Sequence, residues 1–296
     1  MAFRALPLVL ALGLAFGQDA ARAEEFSGEL RIDVIGSQAA GRGPIAQANT
    51  LAPGIATQPG WTAAPQVELR GGLGPFHAVA TLGHRFSDHG AEHGWARFNE
   101  LYASGGQGAW QLTGGRRIVS WDVGEGFRPN DVVQQEPRRP LVQVLPVGRT
   151  VLMADYFGAD TAATVLLVNP ENGRSARGPE EPALAGRFYM RNGAADWHGF
   201  ARWGRRTGGS LGAAVAWVAT DALEVHASAR YMAEADTLAV QPTPTVLVTA
   251  NPWQPATVRR PTQALVGARW VGESKQSLLL EAWWDGTAPS RAQWDA

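Results

Sequence analysis

From residue 24 onward, apolar and polar residues alternate over short stretches bounded by turn-forming residues. In the run from Leu223 to Tyr231 every second residue is apolar or aromatic, and the residues between are Glu224, His226, Ser228 and Arg230. A period of two places one set on each face of a β-strand, so one face suits an apolar medium and the other suits water. The run Leu211 to Trp217 alternates larger apolar residues with Gly and Ala, and only residues 218–222 separate it from the next. This spacing predicts a hairpin with a tight turn near Thr220 and Asp221. The same alternation sets Leu30, Ile32 and Val34 against Glu29, Arg31 and Asp33, and Leu278, Leu280, Ala282 and Trp284 against Ser277, Glu281 and Trp283.

Extended along the chain, this reading predicts thirteen strand cores, at 28–36, 66–72, 76–85, 95–103, 109–121, 150–157, 161–168, 186–192, 196–204, 210–218, 222–232, 263–271 and 276–284. Tight connections fall near Gly74, Gly106, Ala159, Gly193, Asp221 and Glu273. Longer polar or Pro-rich ones cover 41–65, 87–94, 124–148, 169–186 and 233–261. Short turns alternating with long loops distinguish an antiparallel transmembrane β-barrel, with its tight periplasmic turns, from a soluble sandwich, whose strands alternate in the same way. Single-chain bacterial barrels have an even number of strands. The chain, ending in 285–296 as an apparent surface loop, is therefore expected to be incomplete at its carboxyl terminus, the complete barrel being larger and even-numbered.

The amino terminus changes the picture of where the chain goes. Arg4 precedes the uncharged apolar run Leu6 to Phe16, which is followed by Ala21-Arg22-Ala23. The order of charge, short apolar run and small-x-small triplet predicts a signal peptide over 1–23, cleaved after Ala23, with 24–296 as the exported barrel. Composition agrees with this. The chain has no cysteine, so neither disulfides nor thiolate metal sites are available. Apolar residues make up 45 %, with 12 Trp, yet beyond residue 24 no run is long enough for a helical membrane span. A formal net charge of −1 is unsuited to a nucleic-acid partner.

The most distinctive segment runs from Gly114 to Val133 and contains Gly114-Gly115-Arg116-Arg117-Ile118-Val119-Ser120-Trp121 followed by Pro129-Asn130-Asp131. It resembles the strand-to-loop element of porin-like and alginate-export-like outer-membrane barrels, in which Gly-Arg/Lys-x-x-Val-x-Trp-Gly is followed by Pro-x-Asp. Asp122 stands where that pattern has a glycine. The resemblance implies a long loop that folds inward or over a pore, with conduction or export as the activity.

Charge is dense in this loop, and opposed acidic and basic groups can set a field that selects polar solutes. Asp122, Glu125, Arg128, Asp131, Glu136, Arg138 and Arg139 are thus candidates for a constriction within 122–148, or else internal ion pairs that pin the loop. On the strands, Arg117, Arg202, Glu224, Arg230 and Arg269 are further pore-lining candidates, within a wider set of polar-face arginines that includes Arg31, Arg70, Arg187 and Arg191. Guanidinium groups would favour anions unless acids such as Glu29, Asp33 and Glu68 neutralise them.

Trp95, Trp110, Trp121, Trp197, Trp203, Trp217, Trp270 and Trp284 fall near predicted strand ends, as aromatic girdles do, whereas Trp283 falls on the polar face. His84, His89 and His93 read as surface histidines. No Gly-x-Ser-x-Gly, phosphate-binding loop or His-Glu-x-x-His is present, so neither an enzyme nor a cofactor is expected. The leading expectation is an outer-membrane channel of a Gram-negative bacterium, passing a hydrophilic and in one version anionic solute, with outer-membrane lipid and the barrel-assembly machinery as partners. The alternatives are a non-conducting barrel acting as a scaffold and a soluble periplasmic β protein.

Overall fold

The computed structural model describes residues 8–15, 25–36, 49–50, 60–88, 92–134, 146–173, 175–240 and 253–294. The chain divides into two compact units, Met1–Ala103 and Ser104–Ala296.

The first unit is a meander of antiparallel strands: β1 (Leu8–Ala15), β2 (Glu25–Gly36), β3 (Trp61–Leu73), β4 (Phe76–Ser87) and β5 (His93–Gln107), whose last residues belong to the second unit. Its register pairs Leu30 with Val67 and Val67 with Leu82, so apolar residues line up on one face. The other face carries Asp33, Gln66, Glu68, Thr81 and Asn99, all buried. Polar partners are close at hand there: Arg31 Nε lies 3.1 Å from Asp33, Arg70 pairs with Glu68, and Thr81 donates to Asn99 Oδ1 at 2.6 Å. Phe98 faces outward and Asn99 inward, and Asn99 falls at a register shift opposite Val79/Ala80.

In the second unit β6 (Trp110–Arg117), β7 (Arg149–Phe157), β8 (Thr161–Val168), β9 (Ala183–Asn192), β10 (Ala195–Gly204), β11 (Gly208–Thr220) and β12 (Leu223–Met232) pair in sequence. β13 (Glu234–Val240) and β14 (Trp253–Arg259) form a hairpin of their own, and β15 (Thr262–Val271) and β16 (Ser277–Asp285) complete the main sheet beyond β12. Tight turns use Gly108 and Gly193 at positive φ, a conformation open to glycine at little cost.

Faces in this unit are inverted relative to a protein dissolved in water. Trp203, Leu211, Leu112 and Trp284 are between 62 and 68 % exposed, while Asp155, Thr164, His226, Ser228 and Gln263 are buried. Cross-strand register extends these assignments: Leu211 pairs with Tyr231, and Tyr231 with Thr262, on the apolar face, while Gly212, Arg230 and Gln263 line up on the polar one. A continuous belt of large apolar side chains is untenable in water and stable against lipid tails. The fold is therefore all-β, an antiparallel meander with the face distribution of a transmembrane β-barrel.

All thirteen expected strand segments carry strands, with several differences in extent and in the stretches between them. β3 begins at Trp61, ahead of the expected 66. β6 ends at Arg117 instead of continuing to 121, because the chain leaves the sheet there to pack on its polar face. Within 233–261, expected as loop, lies the β13–β14 hairpin, its alternation shortened and interrupted by Pro255. The apolar run Leu8–Ala15 is a strand antiparallel to β2, with Leu10 opposite Ile32.

Candidate functional site

Segment 118–134, which follows β6, lies across the polar face of the second unit. Its apolar underside makes this possible. Val119, Val132 and Val133 are buried against Val151 and Met153 of β7, Leu166 and Val168 of β8, Ala183 and Ala185 of β9, Phe200 of β10 and Ala214 of β11. Trp121 and Val123 pack against the same cluster. Those strand residues sit at otherwise polar-face positions, so the sheet has a local apolar patch where the segment rests. Burial of these side chains at about 25 cal/mol per Å² supplies the main attraction holding the segment down.

Two carboxylates fold the segment on itself and fix its position. Asp131 accepts hydrogen bonds from Ser120 Oγ at 3.0 Å, from Trp121 N at 2.9 Å and from Asp122 N at 3.2 Å. Arg128 adds an ion pair at 3.6 Å, and its Nε donates to Gly124 O at 2.6 Å. Asp122 accepts from Val123 N at 2.8 Å, from Asn130 N, and from Ser228 Oγ of β12 at 2.7 Å. Asn130, fully buried, donates through Nδ2 to Ser228 Oγ at 2.8 Å and to the carbonyls of Ala213 and Ala229 at 3.2 and 3.1 Å. Gly212 makes room for it, since a Cβ there would overlap Asn130 Oδ1. Burial pushes the Asp122 carboxyl above its ordinary range, aided by the nearby charge of Asp131 and opposed by the hydrogen bonds from Asn130, Ser228 and Val123.

At its far side the segment reaches β16. Glu281 accepts from the backbone N–H groups of Glu125 and Gly126 at 2.8 and 2.7 Å, and His226 Nε2 lies 3.0 Å from the same carboxylate. Arg269 Nη1 donates to Glu125 at 3.0 Å. The rings of Phe127 and Trp283 stack with centroids 6.2 Å apart, leaving Trp283 half exposed on the polar face.

A second cluster lies beside the segment. Glu181, almost fully buried, accepts from Thr207 N and Oγ1 at 2.8 and 2.7 Å, from Arg206 N, and from Arg202 Nη1 at 3.3 Å. Burial pushes its carboxyl up, but the hydrogen bonds from Thr207 and Arg206 and the Arg202 charge outweigh it and hold the group below its usual range. Asp236 accepts from Gly178 N at 2.7 Å and pairs with Arg206.

The structure thus brings together Asp122, Glu125, Arg128, Asp131, Arg230 and Arg269, with Arg202 in the neighbouring cluster. Glu224 lies 3.9 Å from His226 and is nearly half exposed. Arg117 sits beside Thr113 on β6, 3.3 Å from its Oγ1. Glu136, Arg138 and Arg139 fall outside the described residues. Trp121 and Trp95 do not join an outer girdle: Trp121 is in the inward segment and Trp95 leans over Gly83 on the polar face. Ser228 engages Asp122 while His226 engages Glu281, so the two do not form a hydroxyl–imidazole pair. Ser120, Glu181 and Gln263 were not legible as site residues, since isolated polar residues in loops and on a polar face carry no periodic signal.

The class these features define is an inside-out antiparallel β wall with an inward-packed segment. No family model and no curated protein matches the chain. Among solved structures it is similar to a mutant of Rh. blastica porin, at 10 % identity over 89 % of this chain and 95 % of that one, with a TM-score of 0.43. It is also similar to the FrpB iron transporter from Neisseria meningitidis, at 13 % identity over 92 % of this chain and 49 % of that one, with a TM-score of 0.39.

Proposed function

We propose that the chain is an exported outer-membrane channel for hydrophilic solutes, in which the segment 118–134 narrows the polar side of the β wall. The observation carrying this reading is a lipid-compatible outer face combined with a segment pinned across the polar inner one. In this reading Arg128, Arg202, Arg230, Arg269, Glu125, Glu224 and Arg117 face the aqueous path. Asp122 and Asp131 hold the constriction in place. Residues 1–23 act as the export signal, and the barrel-assembly machinery inserts the remainder.

The test is conductance in planar bilayers. Discrete, salt-dependent steps are expected, with larger steps when 122–132 is replaced by a short Gly/Ser linker. A folded, membrane-inserted protein that passes no current would overturn the channel. That outcome would favour the second reading, a non-conducting scaffold. The apolar packing and hydrogen-bond closure of the segment give this reading its own support, since they suit a plug as well as a constriction.

A further inference from the structure

Between the inward segment and the long-loop end of β10, β12 and β15 lies a cavity of about 320 Å³. Its size is within the range of small-molecule sites. Acidic groups in its wall are already engaged: Asp131 and Glu181 by the donors described above, and Asp285 by Gln263 Nε2 at 2.9 Å and by Thr287 N and Oγ1 at 2.9 and 2.6 Å. Glu234 lies 3.4 Å from Arg259, and Asp236 accepts from Gly178 N at 2.7 Å, pairs with Arg206 and lies 3.9 Å from Arg177.

Two wall residues differ. Arg230 forms no ion pair among the described residues; it donates to Ser210 Oγ at 3.0 and 3.3 Å and to Pro129 O at 3.3 Å, all neutral oxygens. A guanidinium has five N–H donors, so part of its fork remains available. Gln263 pairs with Arg230 in the strand register and is 4 % exposed, and its Oε1 is buried without a hydrogen-bond partner. Asp285 fixes which way the amide points, because its carboxylate accepts from Nε2 and would repel Oε1. The wall therefore sets a permanent cationic fork next to a lone acceptor that needs a donor. A simple anion satisfies only the first, and a neutral polyol only the second.

We infer that this cavity binds a small hydroxylated carboxylate, its carboxylate on Arg230 and an adjacent hydroxyl donating to Gln263 Oε1. The inference builds on the channel reading by naming the solute class retained beside the constriction.

The experiment is calorimetric titration of the detergent-solubilised full chain with D-gluconate, hexanoate, sorbitol and inorganic phosphate, with conductance in bilayers recorded separately. Gluconate is expected to bind on the order of tenfold more tightly than hexanoate or sorbitol. Arg230→Gln should weaken gluconate by a similar factor, and Gln263→Leu should bring gluconate down to the level of hexanoate while leaving hexanoate unchanged. Heat-modifiable gel mobility checks that each variant is folded; if Arg230→Gln is not, the Gln263→Leu comparison decides. Equal affinities for gluconate and hexanoate, preferential binding of phosphate, or no effect of Gln263→Leu would overturn the inference. Conductance without gluconate binding removes the site and leaves the channel, whereas gluconate binding without conductance removes the channel.

Discussion

Asp122 and Glu181 are buried carboxylates with opposite responses to acid. Asp122 has a raised value, so the folded protein holds that proton more tightly than the unfolded chain does. Its contribution to stability therefore grows as pH falls through the folded value and is a cost above it. Glu181 has a lowered value; its contribution is present above the unfolded value and is lost as pH falls through the folded one. Asp122→Asn is expected to remove the acid-side gain, and Glu181→Gln to remove the acid-side loss while costing about 1–3 kcal/mol at neutral pH through unsatisfied donors. Unfolding curves in detergent between pH 3 and 7 check both signs. A Glu181→Gln protein as acid-sensitive as the wild type would contradict the assignment.

The inward segment depends on a close approach between elements, and Gly212 is its most sensitive point. A methyl group at Gly212 would overlap Asn130 Oδ1, a side chain held by three hydrogen bonds. Gly212→Ala should therefore cost about 1–3 kcal/mol or unseat the segment. Faster proteolysis within 118–134, with the strands still protected, is the expected readout. Strand alternation made the elements themselves legible, because a period of two survives wherever one face meets an apolar medium. Seating of the segment was legible only in outline. Its glycines, Pro129 and dense charge marked a shaped loop, but Val119, Val132 and Val133 show their common apolar face only when opposed to Val151 and Leu166. Polar-face residues such as Gln263 are hidden for the converse reason, since any polar residue fits that period.

Taken as a whole molecule, the described residues distribute their apolar area outward, and this has a direct measurable consequence. Leu211, 67 % exposed and flanked by Tyr231 in register, belongs to the outward belt. Leu211→Arg should destabilise the protein in bilayers by about 2–4 kcal/mol if the position lies near the midplane, falling toward zero near an interface. Refolding into vesicles of defined thickness, followed by heat-modifiable gel mobility, measures the effect. Equal stability of the arginine variant in membranes would argue that this face meets water.

The anchors of the inward segment also set an order of events during assembly. Asp122 meets its partner on β12 across 106 positions of sequence, and Glu125 meets Glu281 on β16 across 156. The loops that such contacts close are long, and their entropy must be lost before the contacts repay it. Neighbouring strands, joined by turns of a few residues, can pair much sooner. The hydrogen bonds to β12 and β16 would therefore close late, after the segment has packed its apolar underside on β7 to β11. Maturation of this protein would then have two clocks, an early one read by strand pairing and a late one read by the change in Trp283 emission as Phe127 comes to rest against it.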